Sequence, residues 1–341
     1  MKVVRRFCTL LIGFVLFVAG ILKLMDPTGA SLIATEYFKF LGVPFLEFAS
    51  RAAAVTLALS ETLVGAALLT GVWRRVIAIV SGALLLSFTG LTVALVIGNP
   101  PMDCGCFGEA IHLTHWQTLI KNIILLVLWT IAFVPAFEDI PVRKIKYAAF
   151  AIAAVSVTAF SFYSAAFQPL VDFTDYAPGR DLGENILSFS DAQGGYADST
   201  ALDGPVMVVS VYDPDRMEFR DWSRTAELLD LSEGLGYTSL LLVSDTPADF
   251  SARVMTGNLP ERAFFADRRT LLALNRSNGG AVVINDGTVV RKWPSRRQPS
   301  FGDLSDIISG NPAEATARGI SGGRLRLQAF LLYVFAVMLL L

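Results

Sequence analysis

Long apolar segments alternate with short polar ones through the first half of the chain. Each apolar segment is close to the roughly 20 residues that a helix needs to cross the hydrocarbon layer of a bilayer. The pattern therefore predicts five transmembrane helices, over residues 7–25, 52–69, 76–97, 119–134 and 145–167. Residues 26–51 are predicted to be a mixed loop, in which 35–40 lies as an amphipathic helix at the membrane interface.

The pattern changes after residue 171 to short apolar stretches that alternate with amphipathic ones, which is typical of a small α/β domain. The predicted strands and helices are 206–212, 217–235, 238–244, 248–256 and 263–266. A hairpin of 281–285 and 288–293 is predicted around Asn285-Asp286-Gly287, because Asp-Gly between apolar runs favours a tight turn. Residues 301–309 are predicted to form a closing helix.

The C-terminal region contains a stretch rich in Gly, Ala and Ser and then an apolar tail. We predict a flexible linker over 312–324. The tail, 325–341, is barely long enough to span, so a sixth transmembrane helix and an interfacial or partner-dependent helix both fit. The predicted domains are a four-helix membrane domain (1–137), a fifth transmembrane helix (138–170), an extracytoplasmic domain (171–311), the linker and the C-terminal helix.

Composition and charge support this division. The 341 residues are 53% hydrophobic and 17% charged, with a mean hydropathy of +0.54, which is too apolar for an ordinary soluble protein. Acidic residues exceed basic ones between 170 and 323, whereas basic residues are in excess elsewhere. This distribution argues against nucleic acid as a partner and leaves membrane lipid as the expected surroundings.

Basic residues also predict the orientation in the membrane. They lie before the first helix, between the second and third, and between the fourth and fifth: Lys2, Arg5, Arg6, Arg74, Arg75, Arg143, Lys144 and Lys146. Connections rich in Lys and Arg stay in the cytoplasm. We therefore expect a bacterial inner (cytoplasmic) membrane protein with a cytoplasmic N-terminus. The loop after the third helix and residues 171–324 are expected to be extracytoplasmic.

Two of the three cysteines, Cys104 and Cys106, lie in that outward-facing loop. A disulfide between them requires a tight bend, which Gly105 permits because glycine adopts positive φ at little steric cost. Small strained disulfides are the easily reduced ones, and disulfides persist outside the cytoplasm. The pair is therefore a candidate redox centre. The competing interpretation is two inert thiols packed in a turn.

A metal site is a weaker alternative for the same cysteines. His112 and His115 follow closely and complete a C-x-C-x5-H-x2-H pattern, whose two sulfurs and two imidazoles would satisfy tetrahedral zinc. However, the spacing is tighter than in known structural zinc sites. Our prediction is therefore no metal, with Cys104, Cys106, His112 and His115 as the weak candidate set.

Ionisable residues in or near the spans are candidate supporting groups, because charges at membrane depth usually face a bundle interior. Glu61 is predicted to be either a proton carrier or a structural carboxyl. Lys23 either extends to the interface or pairs with Glu61. Lys121 either lowers the pKa of a nearby thiol or anchors a helix end. Asp103 is expected to hydrogen-bond the turn.

Residues 3–136 resemble the DoxX/MauE family of four-helix membrane proteins. The similarity is carried by residues 17–24 (FVAGILKL), Ser60-Glu61, residues 118–122 and the most specific motif, Asp103-Cys104-Gly105-Cys106-Phe107-Gly108. The resemblance implies a membrane component tied to thiol–disulfide or electron-transfer chemistry. The MauE branch is associated with maturation of a disulfide-rich methylamine dehydrogenase subunit, and nothing in this sequence indicates methylamine as the substrate.

The outer domain resembles a thioredoxin fold that has lost its active site. The Cys-x-x-Cys should follow the first strand, where this chain has Tyr212-Asp213-Pro214-Asp215, and no proline precedes the hairpin at 278–281. No cysteine follows Cys106, so the domain cannot exchange thiols by itself. The resemblance therefore implies docking or shielding.

Three hypotheses for function remain open at this point. The leading one is a thiol–disulfide relay in which Cys104 and Cys106 exchange electrons between an envelope partner protein and a membrane carrier. A quinone is a candidate carrier, although the sequence identifies no cofactor and no quinone site. The second is a non-enzymatic scaffold or assembly subunit whose outer domain binds an envelope protein. The third is a small-molecule transporter that uses Glu61 and Lys23.

Overall fold

The computed structural model describes residues 2–102, 104–134, 142–167, 171–183, 186–254 and 259–340. The chain divides into two units: Met1–Ala165 together with Leu327–Leu341, and Ala166–Arg326. The first unit is helical and the second contains a mixed sheet. This agrees with the predicted class, a transmembrane helical part joined to an α/β domain.

Six helices in the described part of the chain are long and apolar enough to cross a membrane. The first five match the predicted spans: α1 (Lys2–Met25), α3 (Ser50–Thr70), α4 (Arg74–Gly98), α5 (His115–Phe133) and α6 (Lys144–Ala166). The sixth lies in the C-terminal helix, Pro312–Leu340, which continues without a break through the expected linker.

The expected linker is helical because its sequence contains a helix start. The Asn311 side chain accepts the N–H of Ala313, and Pro312 occupies the first turn, where its missing N–H is harmless. Glu314 and Arg318 then form an i,i+4 ion pair with a separation of 2.8 Å. The prediction of a flexible tether is therefore wrong for this segment.

The predicted loop 26–51 is also mostly helical. Helix α2 (Pro27–Phe40) begins after Asp26, whose carboxylate accepts the N–H of Gly29, and a 3-10 turn follows at Pro44–Ala49. Between α4 and α5 the chain forms a short strand, β1 (Cys106–Glu109). Helix α5 then starts with a capping box formed by Thr114 and Gln117.

Helices α1 and α3 approach each other closely through small residues. A Cβ atom built on Gly65 would lie 2.5 Å from the backbone nitrogen of Phe17, and one on Gly13 would lie 2.9 Å from Leu68 Cβ. Small residues at helix contacts in membranes allow this approach and the close packing that comes with it. The α1–α3 contact fixes the positions of the two helices that carry Lys23 and Glu61.

The second unit contains a five-stranded sheet in the order β4-β3-β2-β5-β6. Strands β2 (Pro205–Val211), β3 (Thr238–Val243) and β4 (Ala263–Phe265) are parallel, and β5 (Gly280–Asn285) and β6 (Thr288–Trp293) complete it as an antiparallel hairpin. The hairpin turns through Asp286 and Gly287, which both have positive φ, as predicted.

Helices cover both faces of this sheet. Helices α7 (Phe219–Gly234), α8 (Pro247–Arg253) and α10 (Phe301–Ser309) contribute to one apolar core, and α9 (Arg268–Leu274) to the other. The sequence analysis missed α9, because two helical turns are too short to establish a periodicity. Asp267, whose side chain accepts the N–H of Arg269, marks the start of α9.

The packing of α1 against α3 predicts that two glycine substitutions differ in their effect on stability. Gly65→Ala inserts a methyl group against the backbone of α1, and we expect overpacking to lower the stability of the membrane unit by about 1–3 kcal/mol. Gly90→Ala in α4 is the matched control, because a Cβ there would contact nothing within 4 Å. Unfolding in detergent micelles, followed by circular dichroism, measures both. Equal stability of the two variants would contradict the close α1–α3 contact.

Candidate functional site

The two cysteines face each other across a glycine turn. Their sulfur atoms are 3.7 Å apart and unbonded. Gly105 has φ +57°, and a Cβ on it would lie 2.5 Å from Ile33 Cγ2 on α2. Both the positive φ and this contact require glycine at the position. The sulfurs would have to approach by about 1.7 Å to reach the disulfide distance of roughly 2.05 Å.

The two thiols differ in exposure. Cys104 is buried, with 3% of its surface exposed, whereas Cys106 is partly exposed. Helix α2 covers Cys104 through Tyr37, whose hydroxyl donates to the Cys104 carbonyl and lies 3.9 Å from Cys104 Sγ. An approaching molecule therefore reaches Cys106 more readily than Cys104. The sequence analysis placed Tyr37 in an interfacial helix over 35–40 and did not predict its contact with Cys104.

The surroundings also shift the pKa values of the two thiols in opposite directions. A hydrogen bond from the Cys104 thiol and the positive charges of Lys121 and Lys23 lower the pKa of Cys106, against the opposing effect of burial. The same hydrogen bond, burial and the neighbouring Cys106 raise the pKa of Cys104. The arrangement favours a thiolate on Cys106 and a protonated thiol on Cys104.

Lys121, near the start of α5, is positioned by Phe107, the residue that follows the Cys104-Gly105-Cys106 turn. Its ammonium group lies 4.9 Å from the centroid of the Phe107 ring, a cation–π contact, and hydrogen-bonds Cys106. Phe107 therefore holds the cation beside the sulfur. Gly108 has φ +61° and packs against the backbone of Lys23 on α1, which brings the turn to the C-terminal end of that helix.

Lys23 and Glu61 form a buried ion pair between α1 and α3. The Lys23 ammonium nitrogen lies 2.7 Å from both carboxylate oxygens of Glu61, and the two side chains are 11% and 2% exposed. The sequence analysis left pairing and extension to the interface open for Lys23, and the structure has the pair. Breaking such a pair by removing one partner leaves an uncompensated charge, which is strongly destabilising.

A cavity of about 110 Å³ joins these groups. Lys23, Glu61, Cys104, Cys106 and Lys121 all line it, although they come from four different segments of the chain. Asn122 lines it as well, buried and donating to Thr92 Oγ1 at 3.0 Å, and the sequence analysis did not single it out. The rest of the wall is mainly apolar. The cysteines and the ion pair therefore belong to one site.

Several sequence-predicted residues lie outside this arrangement. Asp103 falls outside the described residues. His115 uses Nε2 to contact the Met102 carbonyl at 2.9 Å. No three His, Cys, Asp or Glu side chains in the described ranges come together to hold a metal ion, so the weak zinc set of Cys104, Cys106, His112 and His115 is not assembled there. Cys8 is buried in the apolar core of the membrane unit.

Comparison with known proteins finds a family match only within the membrane unit. Residues 1–137 match the model of the family described as "Methylamine utilisation protein MauE". No match was found among curated proteins or among solved structures. The matched region contains α1 to α5, the Cys104-Gly105-Cys106 turn and the Lys23–Glu61 pair. The similarity to the MauE family therefore covers the first 137 of the 341 residues, which form most of the membrane unit.

Proposed function

We propose that the membrane domain is a thiol–disulfide relay in which Cys104 and Cys106 alternate between a dithiol and a disulfide. The observation that carries the proposal is the pair of facing sulfurs, one buried and one accessible, with a lysine ammonium beside the accessible one. Reactive thiols need both access and an electropositive environment. Cys106 has both.

In this proposal Cys106 makes the contact with the partner protein. Its thiolate attacks one sulfur of a partner disulfide, forming a mixed disulfide and releasing the other partner sulfur as a thiolate, which takes up a proton. Cys104 then loses its proton and attacks the Cys106 sulfur, which forms the Cys104–Cys106 disulfide and frees the second partner thiol. Two electrons pass to the partner, and the reverse sequence carries two electrons from a partner dithiol.

We also propose that the site lies on the extracytoplasmic side of a bacterial inner membrane. Arg5 in α1 and Arg74 in α4 both donate to the carbonyl of Ala132 in α5. This supports the positive-inside orientation, because it brings basic helix ends together at one end of the unit. The Cys104-Gly105-Cys106 turn packs at the opposite end of α1, beside Lys23.

For the second unit we propose a thioredoxin-like domain that docks an envelope partner. The topology of the sheet supports this fold. The strand order is β3-β2-β5-β6, β2 and β3 are parallel and connected through α7, and the β5–β6 hairpin is followed by α10. The segment after β2 carries Asp213 instead of an active cysteine. Asp213 exchanges two hydrogen bonds with the Asn278 side chain, at 3.0 and 2.7 Å. These bonds tie together the two loops that form the active site in thioredoxins.

The absence of cysteine from the second unit also supports a second candidate function, a non-enzymatic assembly subunit that binds an envelope protein through this domain. The double variant Cys104→Ser/Cys106→Ser separates the two candidates. The relay requires the double variant to lose thiol exchange and biological function together. The assembly function requires partner binding and biological function to persist. The transport hypothesis requires that Glu61→Gln loses transport and that the double cysteine variant retains it.

Single cysteine variants test the order of attack. We expect Cys104→Ser, treated with oxidised glutathione, to gain one stable glutathione on Cys106, because no neighbouring thiol remains to displace it. Cys106→Ser should gain none, since Cys104 is buried. Wild type should form the internal disulfide instead. Intact mass spectrometry of the membrane protein resolves the three products.

Cys8→Ser is the control for this experiment, because Cys8 is buried in a different part of the membrane unit and should leave the wild-type product unchanged. A glutathione adduct on Cys106→Ser and none on Cys104→Ser would show that Cys104, and not Cys106, makes the first attack. Identical products from wild type and both single variants would contradict the proposed relay.

The charge beside Cys106 predicts a pH dependence. Lys121→Gln removes a group that lowers the Cys106 pKa, so the pKa should rise by about one unit. Because only the thiolate reacts, alkylation of Cys106 at a pH below both pKa values should slow about tenfold. Iodoacetamide labelling of the reduced protein across a pH series measures the midpoint. Lys39→Gln is the control, since Lys39 is an exposed lysine on α2. Equal midpoints for Lys121→Gln and wild type would contradict the role of Lys121.

A further inference from the structure

We propose that the cavity behind the Cys104-Gly105-Cys106 turn binds a membrane-soluble quinone, which accepts the two electrons of the dithiol. The inference rests on the proposed relay and adds the acceptor, its site and the direction of electron flow. Electrons would pass from envelope thiols to the cysteine pair and from there to the quinone.

The size and lining of the cavity suit the edge of a single ring. Its volume is about 110 Å³, which is less than the roughly 150 Å³ of an apolar protein cavity that holds a whole benzene molecule. The walls are formed by α1, α3 and α4, with Leu16, Ala54 and Leu85 among the apolar residues. One edge of a quinone ring enters this space while the rest of its head group lies at the opening, whereas a peptide is too large to enter.

The rim of the cavity is formed by helices that can span a membrane. Leu57 on α3 is 39% exposed, and Phe88 and Leu91 on α4 are half-buried. All three lie within helices that are long and apolar enough to cross a bilayer, so a path between them opens toward the sides of the helices. An occupant that reaches the cysteines along this path is soluble in the bilayer. This property favours an isoprenoid quinone over a water-soluble oxidant.

Polar groups occupy the end of the cavity near the sulfurs. An ammonium group has three N–H donors, and the hydrogen bonds of Lys23 in the described residues direct it to the two oxygens of Glu61. The Lys23 ammonium also lies 5.8 Å from the centroid of the Phe88 ring, and both residues line the cavity. Lys121 and the Asn122 amide line the same end. A quinone needs such donors, because negative charge develops on its oxygens during reduction.

The reaction balances with these groups. The Cys106 thiolate adds to a ring carbon, so that a C–S bond forms and the electron pair moves to one quinone oxygen, which takes a proton from Lys121, the cation beside that thiolate. The Cys104 sulfur then attacks the Cys106 sulfur. The S–S bond forms, the C–S bond breaks, and its electron pair returns to the ring. The proton of Cys104 goes to the second oxygen, which gives the hydroquinone, and Lys121 regains a proton from the aqueous phase.

The test uses the full chain in phospholipid nanodiscs, reduced, freed of reductant and mixed without oxygen with a ubiquinone that carries one isoprene unit. We expect one quinone to be reduced per cysteine pair, followed by its ultraviolet absorbance. Ala54→Phe and Ala34→Phe place a ring inside the cavity from α3 and from α2. Both should slow quinone reduction at least tenfold. The control Ala52→Phe adds the same ring to an exposed position of α3 and should behave as wild type.

A second measurement separates this inference from the relay itself. Oxidation of the cysteine pair to its internal disulfide by oxidised glutathione, in the same nanodiscs, reports the thiols alone and also shows that each variant is folded. Slow quinone reduction with normal disulfide formation in Ala54→Phe or Ala34→Phe supports the quinone site. Normal disulfide formation in wild type without quinone reduction, or reduction equally fast in the filled variants and in Ala52→Phe, overturns it and leaves the relay standing. Loss of disulfide formation in wild type overturns both.

Discussion

The buried contact between Lys23 and Glu61 is the constraint on which the site depends. Neither charge is stable alone among apolar side chains, so α1 and α3 must bring the two groups together in one geometry. The small residues Gly13 and Gly65 allow the helices to approach closely enough. Once the pair is formed, the end of α1 gives the Cys104-Gly105-Cys106 turn a fixed surface to pack against.

This arrangement makes two chemically identical side chains unequal. Tyr37 and α2 cover Cys104, whereas Lys121, held by Phe107, lies beside Cys106. The difference comes from three helices, α1, α2 and α5, that converge on a turn of three residues. A strained turn alone would bring the sulfurs together, but it would not determine which of them meets a partner. The supporting residues therefore matter as much as the cysteines.

Much of this could be predicted from the sequence, and the failures have physical reasons. The spans were predictable because apolar runs of this length have few other uses, and opposite charges within two of them made the Lys23–Glu61 pair one of two alternatives. The first half of helix α2 was missed because its start depends on one side chain, Asp26, ahead of a proline that resembles a loop signal. Tyr37 lies in the part that was predicted as an interfacial helix, but its contact with Cys104 depends on tertiary packing that the sequence pattern does not reveal. Residues 312–324 were misjudged because glycine and serine suggested a tether, while the Asn311 cap and the Glu314–Arg318 pair stabilise a helix.

The pair of hydrogen bonds between Asp213 and Asn278 joins two loops of the α/β unit through an amide side chain and backbone groups. Residues 166–326 contain no cysteine, so thiol oxidants and reductants have no thiol to act on in this unit. In the relay that we propose, a partner docked on the α/β unit would therefore be held equally well in either oxidation state of Cys104 and Cys106.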